Sequence, residues 1–306
     1  MKKVTLNRAQ GCLLGLAIGD AVGTTVEFSP RGSFEPVIDL VGGGPFQLAA
    51  GQWTDDTSMA LCLAASLAEL QTFDTNDQMR RYVRWYRDGY YSSTGRCFDI
   101  GITTQKALAG FEKSGDPFSG SSDIHSAGNG CLMRLAPVPI FFGDDIEKAM
   151  DFSAESSKVT HKAAECIDAS RLFGGMLVKA LNGISKEAIL LNNDLEKISS
   201  TSIQEIGKGS YLSKSDLEIK GSGYVVKSLE AALWCFYQSN SYKEAVLLAT
   251  NLGDDADTTA AICGQIAGAY YGREGIPTAW QEKVYMRDEI LGLVNSLHHH
   301  TIHQAR

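Results

Sequence analysis

Several kinds of signal are missing from this sequence, and each absence narrows what the chain can be. No Lys/Arg-rich run appears, and the formal net charge is −8 with a pI near 5.3. A nucleic-acid reader usually shows a basic footprint, so nucleic acid is excluded as an expected partner. The apolar stretch from Cys12 to Ile18 is short, preceded by Asn7, Arg8 and Gln10 and ended by Asp20, so neither a secretion signal nor a membrane span is expected. The seven cysteines are odd in number, scattered and never in CxxC spacing. That usage fits buried free thiols in a reducing cytoplasm, and it excludes a disulfide framework or a cysteine zinc site. Strand signals are few and short.

What remains is helical. The chain is 306 residues long, 44% hydrophobic and 21% charged, which is ordinary for a soluble globular protein and enough for one large domain or two smaller ones. Periodicity and helix propensity predict helices over 7–22, 56–70, 76–88, 103–112, 145–158, 161–182, 224–238, 241–251, 258–271 and 279–297. The expected fold class is therefore an all-α, single compact multi-helix domain over 1–297, followed by a His-rich tail, 298–306, expected to be solvated and poorly ordered. Gly11, Gly15, Gly19 and Gly23 share one helical face, and Ala260, Gly264, Gly268 and Gly272 repeat the device near the other end. We read the two stripes as neighbours in one core. Three stretches resist helix and read as surface loops: 28–53, 113–130 and 190–223. The middle one is rich in glycine and feeds an apolar run, an arrangement able to cradle phosphate at a helix N-terminus.

Two clusters can carry chemistry. Thr54–Asp55–Asp56–Thr57 stands just before a strong helix, where capping alone would account for it. Asp254–Asp255–Ala256–Asp257–Thr258 stands before another, and three acids within four residues exceed what a cap needs. Their repulsion is unfavourable unless a cation neutralises it. Both clusters offer carboxylates and hydroxyls without Cys or His, which points to Mg²⁺ or Mn²⁺ rather than Zn²⁺. If the clusters converge, they can hold a pair of divalent cations.

Several further motifs occur in order with these: GCLLGLAIGDAVGTTVEF (11–28), GQWTDDTSMAL (51–61), CFDIG (97–101), SAGNGCLMRLAP (126–137), THKAA (160–164) and NLGDDADTTAAICGQIAGAYYG (251–272). Together they resemble the ADP-ribosylglycohydrolases, most of all bacterial enzymes of the dinitrogenase reductase-activating type, over most of the chain. The resemblance implies an all-helical fold and metal-dependent release of ADP-ribose from a modified protein side chain, most of all arginine. It implies Thr54, Asp55, Asp56, Asp255, Asp257 and Thr258 as metal ligands, leaving out Asp254, where several relatives carry Gly. Glu27 matches an acid at the cleft mouth. Asp99 matches an acid facing the arginine guanidinium, which an ionised carboxylate can grip in bidentate fashion. Ser126, Gly128, Asn129 and Gly130 match contacts to the diphosphate and adjoining ribose, and His161 a histidine near that ribose. Ile102 departs from the pattern, standing where close relatives carry a polar Asn. Either Glu27 or the Asp55–Asp56 pair would serve as general base. Arg134, deep in an apolar run, reads as a member of a structural ion pair. Two rival activities stay open: hydrolysis of O-linked ADP-ribose (a serine conjugate or O-acetyl-ADP-ribose), and a catalytically silent relative that kept the fold.

Overall fold

A computed structural model of the chain describes residues 4–191 and 193–304, and the side chains among them up to 299. Among the described residues there is no strand, only isolated β-bridges. The helices are α1 (Leu6–Gly23), α2 (Asp55–Leu70), α3 (Thr75–Asp88), α4 (Ile102–Ser114), α5 (Pro137–Phe141), α6 (Ile146–Lys158), α7 (Ala164–Leu181), α8 (Lys186–Leu191), α9 (Thr201–Gly207), α10 (Val225–Gln238), α11 (Tyr242–Thr250), α12 (Ala256–Tyr271), α13 (Thr278–Lys283) and α14 (Arg287–Gln304). The all-α reading holds. All seven cysteines are free, and all but Cys97 are buried.

The two small-residue stripes meet. A Cβ added to Gly11, Gly15, Gly19 or Gly23 would strike the carbonyl oxygen of Gly268, Gly264, Ala260 or Ala256 respectively, and one added to Gly264 or Gly268 would strike that of Gly15 or Gly11. Numbers rise along α1 as they fall along α12, so the helices run antiparallel with their backbones in contact. Only glycine permits that approach, and Cα–H groups then face carbonyls across the seam. Residues Leu6–Val26 are long and apolar enough to cross a membrane, but 89% of that window is buried inside the protein, much of it against α12. The seam places the C-terminal end of α1 beside the N-terminal end of α12.

Four expectations need correction. The predicted helix 279–297 is broken between α13 and α14, because the Tyr285 N–H donates to the Gly51 carbonyl (2.9 Å) and Met286 takes a left-handed φ of 50°. The stretch 190–223 is not all loop. It contains α9, anchored by Asp168 Oδ2, which accepts from the backbone and hydroxyl of both Ser199 and Ser200 at 2.7–2.9 Å. The glycine-rich loop 113–130 feeds a single 3₁₀ turn, Asn129–Cys131, so no α-helix dipole is available there for a phosphate. Finally, α14 continues through the predicted tail to Gln304, and the buried His298 ring lies 3.0 Å (Nε2) from the Val4 carbonyl. Residues 305 and 306 lie outside the described residues.

Candidate active site

The seam brings three chain segments to one point: the end of α1 and the starts of α2 and α12. Asp20, on the last turns of α1, is fully buried. Its Oδ1 accepts from the Thr54 backbone N–H and hydroxyl (both 2.9 Å), and its Oδ2 from the Thr57 backbone N–H (3.0 Å) and hydroxyl (2.6 Å). Asp20 thus caps α2 from another helix. Neither Thr54 nor Asp255, the residues at the N-terminal ends of α2 and α12, makes a capping side-chain hydrogen bond of its own. Capping therefore does not account for the acids at these helix starts. They are left to face one another.

Two triplets of carboxylates result, each with ligand oxygens within 4.8 Å of one another: Asp55, Asp56 and Asp257, and Glu27, Asp99 and Asp257. Asp257 belongs to both. The Thr54 hydroxyl lies 3.4 Å from Asp56 Oδ2 and 3.3 Å from Asp257 Oδ2, besides Asp20, and has one proton for three acids. The Thr258 hydroxyl lies 3.3 Å from Asp56 Oδ2. Asp56 Oδ1 and Asp257 Oδ1 are buried with no hydrogen-bond partner. Buried oxygens left this way are costly unless something positive meets them.

The electrostatics say the same. Burial, then neighbouring carboxylates, pushes Asp55, Asp56 and Asp257 well above the usual carboxylate range. Glu27 is pushed up to about 12 by burial and by Asp257, Asp99, Asp255 and Asp56. Asp99 is pushed up to about 7 by burial, Asp20 and Asp255, with hydrogen bonds from Glu27 and Asp55 holding it down. Without a cation these groups hold protons to higher pH than free carboxylates do. An all-oxygen donor set of this density fits a hard divalent cation.

Above the acids opens a cavity of about 470 Å³, bordered by Glu27, Asp55, Asp99, Asp255, Asp257 and Thr258 on one side and by Gly128, Asn129, Gly130 and His161 on the other. Thr54 and Asp56 lie beneath it. A second cavity, about 940 Å³, adjoins it through Thr103, Gly128 and Gly223 and takes in Ser126 and Tyr224. Among the described residues no lysine or arginine lines either cavity.

The proposed metal ligands, Glu27, Asp99, Gly128, Asn129, Gly130 and His161 thus lie at this cleft or its floor, and Ser126 lies in the adjoining cavity. Asp255 stands outside both triplets, its Oδ2 accepting from the Asn129 amide, which also donates to the Ser228 hydroxyl (3.1 Å). The Asn129 amide thus holds an acid and is not free for a diphosphate. Asp99, read only as a guanidinium partner, sits at metal distance from Glu27 and Asp257. Phe28 and Ile102 line the mouth and stand 64% and 71% exposed, so that rim is apolar. Backbone pairing sets Glu27 against the second cluster: the Phe28 N–H donates to the Asp254 carbonyl (2.7 Å) and the Asp254 N–H to that of Ser29 (2.8 Å). Arg134 has no carboxylate partner among the described residues, contrary to the ion pair expected. It donates to the Ser156 carbonyl and the Thr160 hydroxyl, and lies over the Tyr82 ring. Asp20 was missed, and its signal was there: one acid among the apolar later turns of α1.

The sequence matches the ADP-ribosylglycohydrolase family description over residues 1–306. It is 49% identical over 292 residues to ADP-ribosylarginine hydrolase Tri1 of Pseudomonas putida (strain GB-1), covering 95% of this chain and 78% of that one. It is 43% identical to the protein of the same name from Serratia proteamaculans (strain 568), covering 96% and 79%. At 30% identity it matches ADP-ribosyl-[dinitrogen reductase] glycohydrolase of Rhodospirillum rubrum, covering 92% of each. A solved structure described as an ADP-ribosylglycohydrolase-related protein complex superposes with a TM-score of 0.87 at 38% identity, over 97% of this chain and 98% of that one. With acid triplets, cleft and sequence in agreement, this chain belongs to the ADP-ribosylglycohydrolase family.

Proposed function

We propose that the protein hydrolyses the N-glycosidic bond between ADP-ribose and an arginine side chain of a modified protein, using two divalent cations, Mg²⁺ or Mn²⁺. The carrying observation is the pair of buried carboxylate triplets sharing Asp257, with partnerless oxygens, under a cleft that no lysine or arginine lines among the described residues. Thr54, Asp55, Asp56, Asp255, Asp257 and Thr258 would hold the ions. Bound there, the cations supply Lewis acidity, polarising ribose oxygens and making a bound water more acidic.

The remaining work falls to the chain. Glu27 and Asp55 both reach the cleft surface, whereas Asp56 lies beneath it. Asp55 is among the residues that would hold the ions, so we assign Glu27 as the base that takes the proton of the attacking water. The water oxygen bonds to the anomeric carbon, the carbon–nitrogen bond breaks, and its electron pair goes to the guanidine nitrogen, which takes up the proton that Glu27 accepted from the water. Asp99, beside Glu27, faces that leaving group and pairs with its charge. Gly128, Asn129 and Gly130 leave room for the ribose and diphosphate on the opposite wall. The relatives named as ADP-ribosylarginine hydrolases support the choice of arginine.

The test is release of ADP-ribose from ADP-ribosyl-arginine and from ADP-ribosyl-serine peptides, each with Mg²⁺ or Mn²⁺ and with excess chelator. Metal-dependent release from the arginine conjugate is expected. Turnover of the serine conjugate alone would replace the substrate, and full turnover in chelator would remove the mechanism.

A further inference from the structure

Arg134 is a fully buried cation that neither the acid floor nor any other carboxylate pairs with among the described residues. Its Nε has no hydrogen-bond partner among the described residues, so the site is not simply optimised for stability. Nη2 donates to the Thr160 hydroxyl at 2.6 Å, and that hydroxyl lies 2.9 Å from His161 Nδ1. A guanidinium can only donate, so Thr160 Oγ accepts from it. The threonine proton then needs an acceptor, and His161 Nδ1 is the one within reach among the described residues. A ring nitrogen that accepts carries no proton, which leaves the proton on Nε2.

That nitrogen lies next to the glycine wall of the cleft, 3.3 Å from where a Cβ on Gly128 would sit. His161 borders the smaller cavity, and its Nε2 makes no hydrogen bond to the described residues. Gly128 and Gly130 lie directly against the ring, close enough that a Cβ on Gly130 would come 2.6 Å from Cε1. The backbone of His161 is fixed as well: its N–H donates to the Ser157 carbonyl (2.8 Å), and its own carbonyl accepts from the Ser157 hydroxyl (2.7 Å). Burial, and then the Arg134 charge, lowers the ring to about 3, so it stays neutral.

We infer that Arg134, acting through Thr160, is a positioning residue that locks His161 as the neutral Nε2–H tautomer, aiming one uncharged N–H donor at an acceptor oxygen of the bound ADP-ribose. The identity of that ligand rests on the function proposed above; the tautomer does not. The guanidinium offers donors and no acceptor, so the threonine hydroxyl cannot turn round and donate to it. The glycines opposite are required for the ring to reach the cleft wall.

The experiment is nitrogen–proton correlation spectroscopy of the full-length protein labelled with ¹⁵N-histidine, with His161→Ala identifying the resonances, and calorimetric binding of ADP-ribose in parallel. The wild type should show a single tautomer protonated at Nε2. Thr160→Val should lose that single tautomer and bind ADP-ribose roughly two- to tenfold more weakly, the worth of one ordinary hydrogen bond. Mn²⁺ affinity should stay the same. Thr160→Ser, which keeps the hydroxyl, should restore both readouts. A wild-type ring protonated at Nδ1 overturns the proposal, and that measurement holds even if Thr160→Val does not fold. An unchanged tautomer and affinity in Thr160→Val also overturn it. Failure of the wild type to bind ADP-ribose would instead remove the functional reading, with the tautomer still decided by the spectrum.

Discussion

Two sets of buried charge, one flooring the cleft and one behind its His161 wall, are satisfied in opposite ways. On one wall Glu27, Asp55, Asp56, Asp99, Asp255 and Asp257 crowd together with no basic side chain among them and with carboxylate oxygens left over. Behind the other, Arg134 is buried without an acid among the described residues, yet a carbonyl, a hydroxyl and an aromatic ring surround it. Buried charges are ordinarily paired, and the simplest arrangement would be to pair these two. That they are kept apart shows two different designs. The guanidinium is solvated from within, permanently, and orients a neighbour. The acids would be completed from outside by a cation, and without one they hold protons to higher pH than free carboxylates do.

The largest break in that comparison should come from the acids. Asp56→Ala is expected to lower hydrolysis by more than about a hundredfold, without rescue by added metal, because it removes a member of the buried triplet. The assay is kcat/KM across a metal titration. Next in size is Asp99→Asn, which removes one charge with little change of shape. If Asp99 pairs with the leaving guanidinium, the loss on ADP-ribosyl-arginine should be about tenfold to a hundredfold, the worth of a charge-assisted hydrogen bond. Loss on O-acetyl-ADP-ribose, which has no cation to pair, should be small wherever the wild type accepts it. Equal losses on both, with weakened metal binding, would move Asp99 into the metal group that its neighbours Glu27 and Asp257 define.

Gly15→Ala tests how the acids are brought together. The new methyl would strike the Gly264 carbonyl, so α1 and α12 must part. Overpacking of this kind costs about 1–3 kcal/mol, read as a lower denaturant midpoint. Metal affinity should fall with it, because the seam sets the distance between Asp20, Asp55 and Asp257. A variant of wild-type stability would show that the seam is not the clamp described.

The smallest effect is a pH dependence. In the metal-free protein the floor carboxylates bind protons that the unfolded chain, with ordinary acids, releases near pH 4. Over that window the native state holds more protons, so the floor's contribution to stability falls as pH rises, through about 7 for Asp99 and further for Glu27. Added Mn²⁺ replaces those protons. The metal-induced rise in Tm should therefore grow between about pH 5 and 8, and a rise that shrinks with pH would contradict the assignment.

Much of this was legible in the sequence because its signals are local. Four glycines at intervals of four predicted a close helix pair, and acids with threonines but no histidine predicted an oxygen-ligated cation. The rest depended on contacts between distant residues. Asp20 looked like the end of an apolar run, yet it caps a helix that begins some thirty residues later, at Asp55. Arg134 looked like half of an ion pair, because a buried guanidinium usually has an acid, and nothing local says that a threonine and a tyrosine ring replace it. The break at 284–286 depends on a hydrogen bond to Gly51, and no helical periodicity can reveal that. The start of the tail read as polar because its histidines were weighed as composition, whereas His298 continues a helix and packs on Val4.

The central claim is that the buried acid floor holds two cations that share Asp257, the one carboxylate common to both triplets. Equilibrium binding of Mn²⁺ to metal-stripped protein, followed by electron paramagnetic resonance, tests it most directly when wild type is compared with Asp257→Asn. Two ions per wild-type chain are expected, with loss of both sites in the variant and the fold retained by circular dichroism. Two ions still bound after Asp257→Asn, or none bound by the wild type, would contradict it.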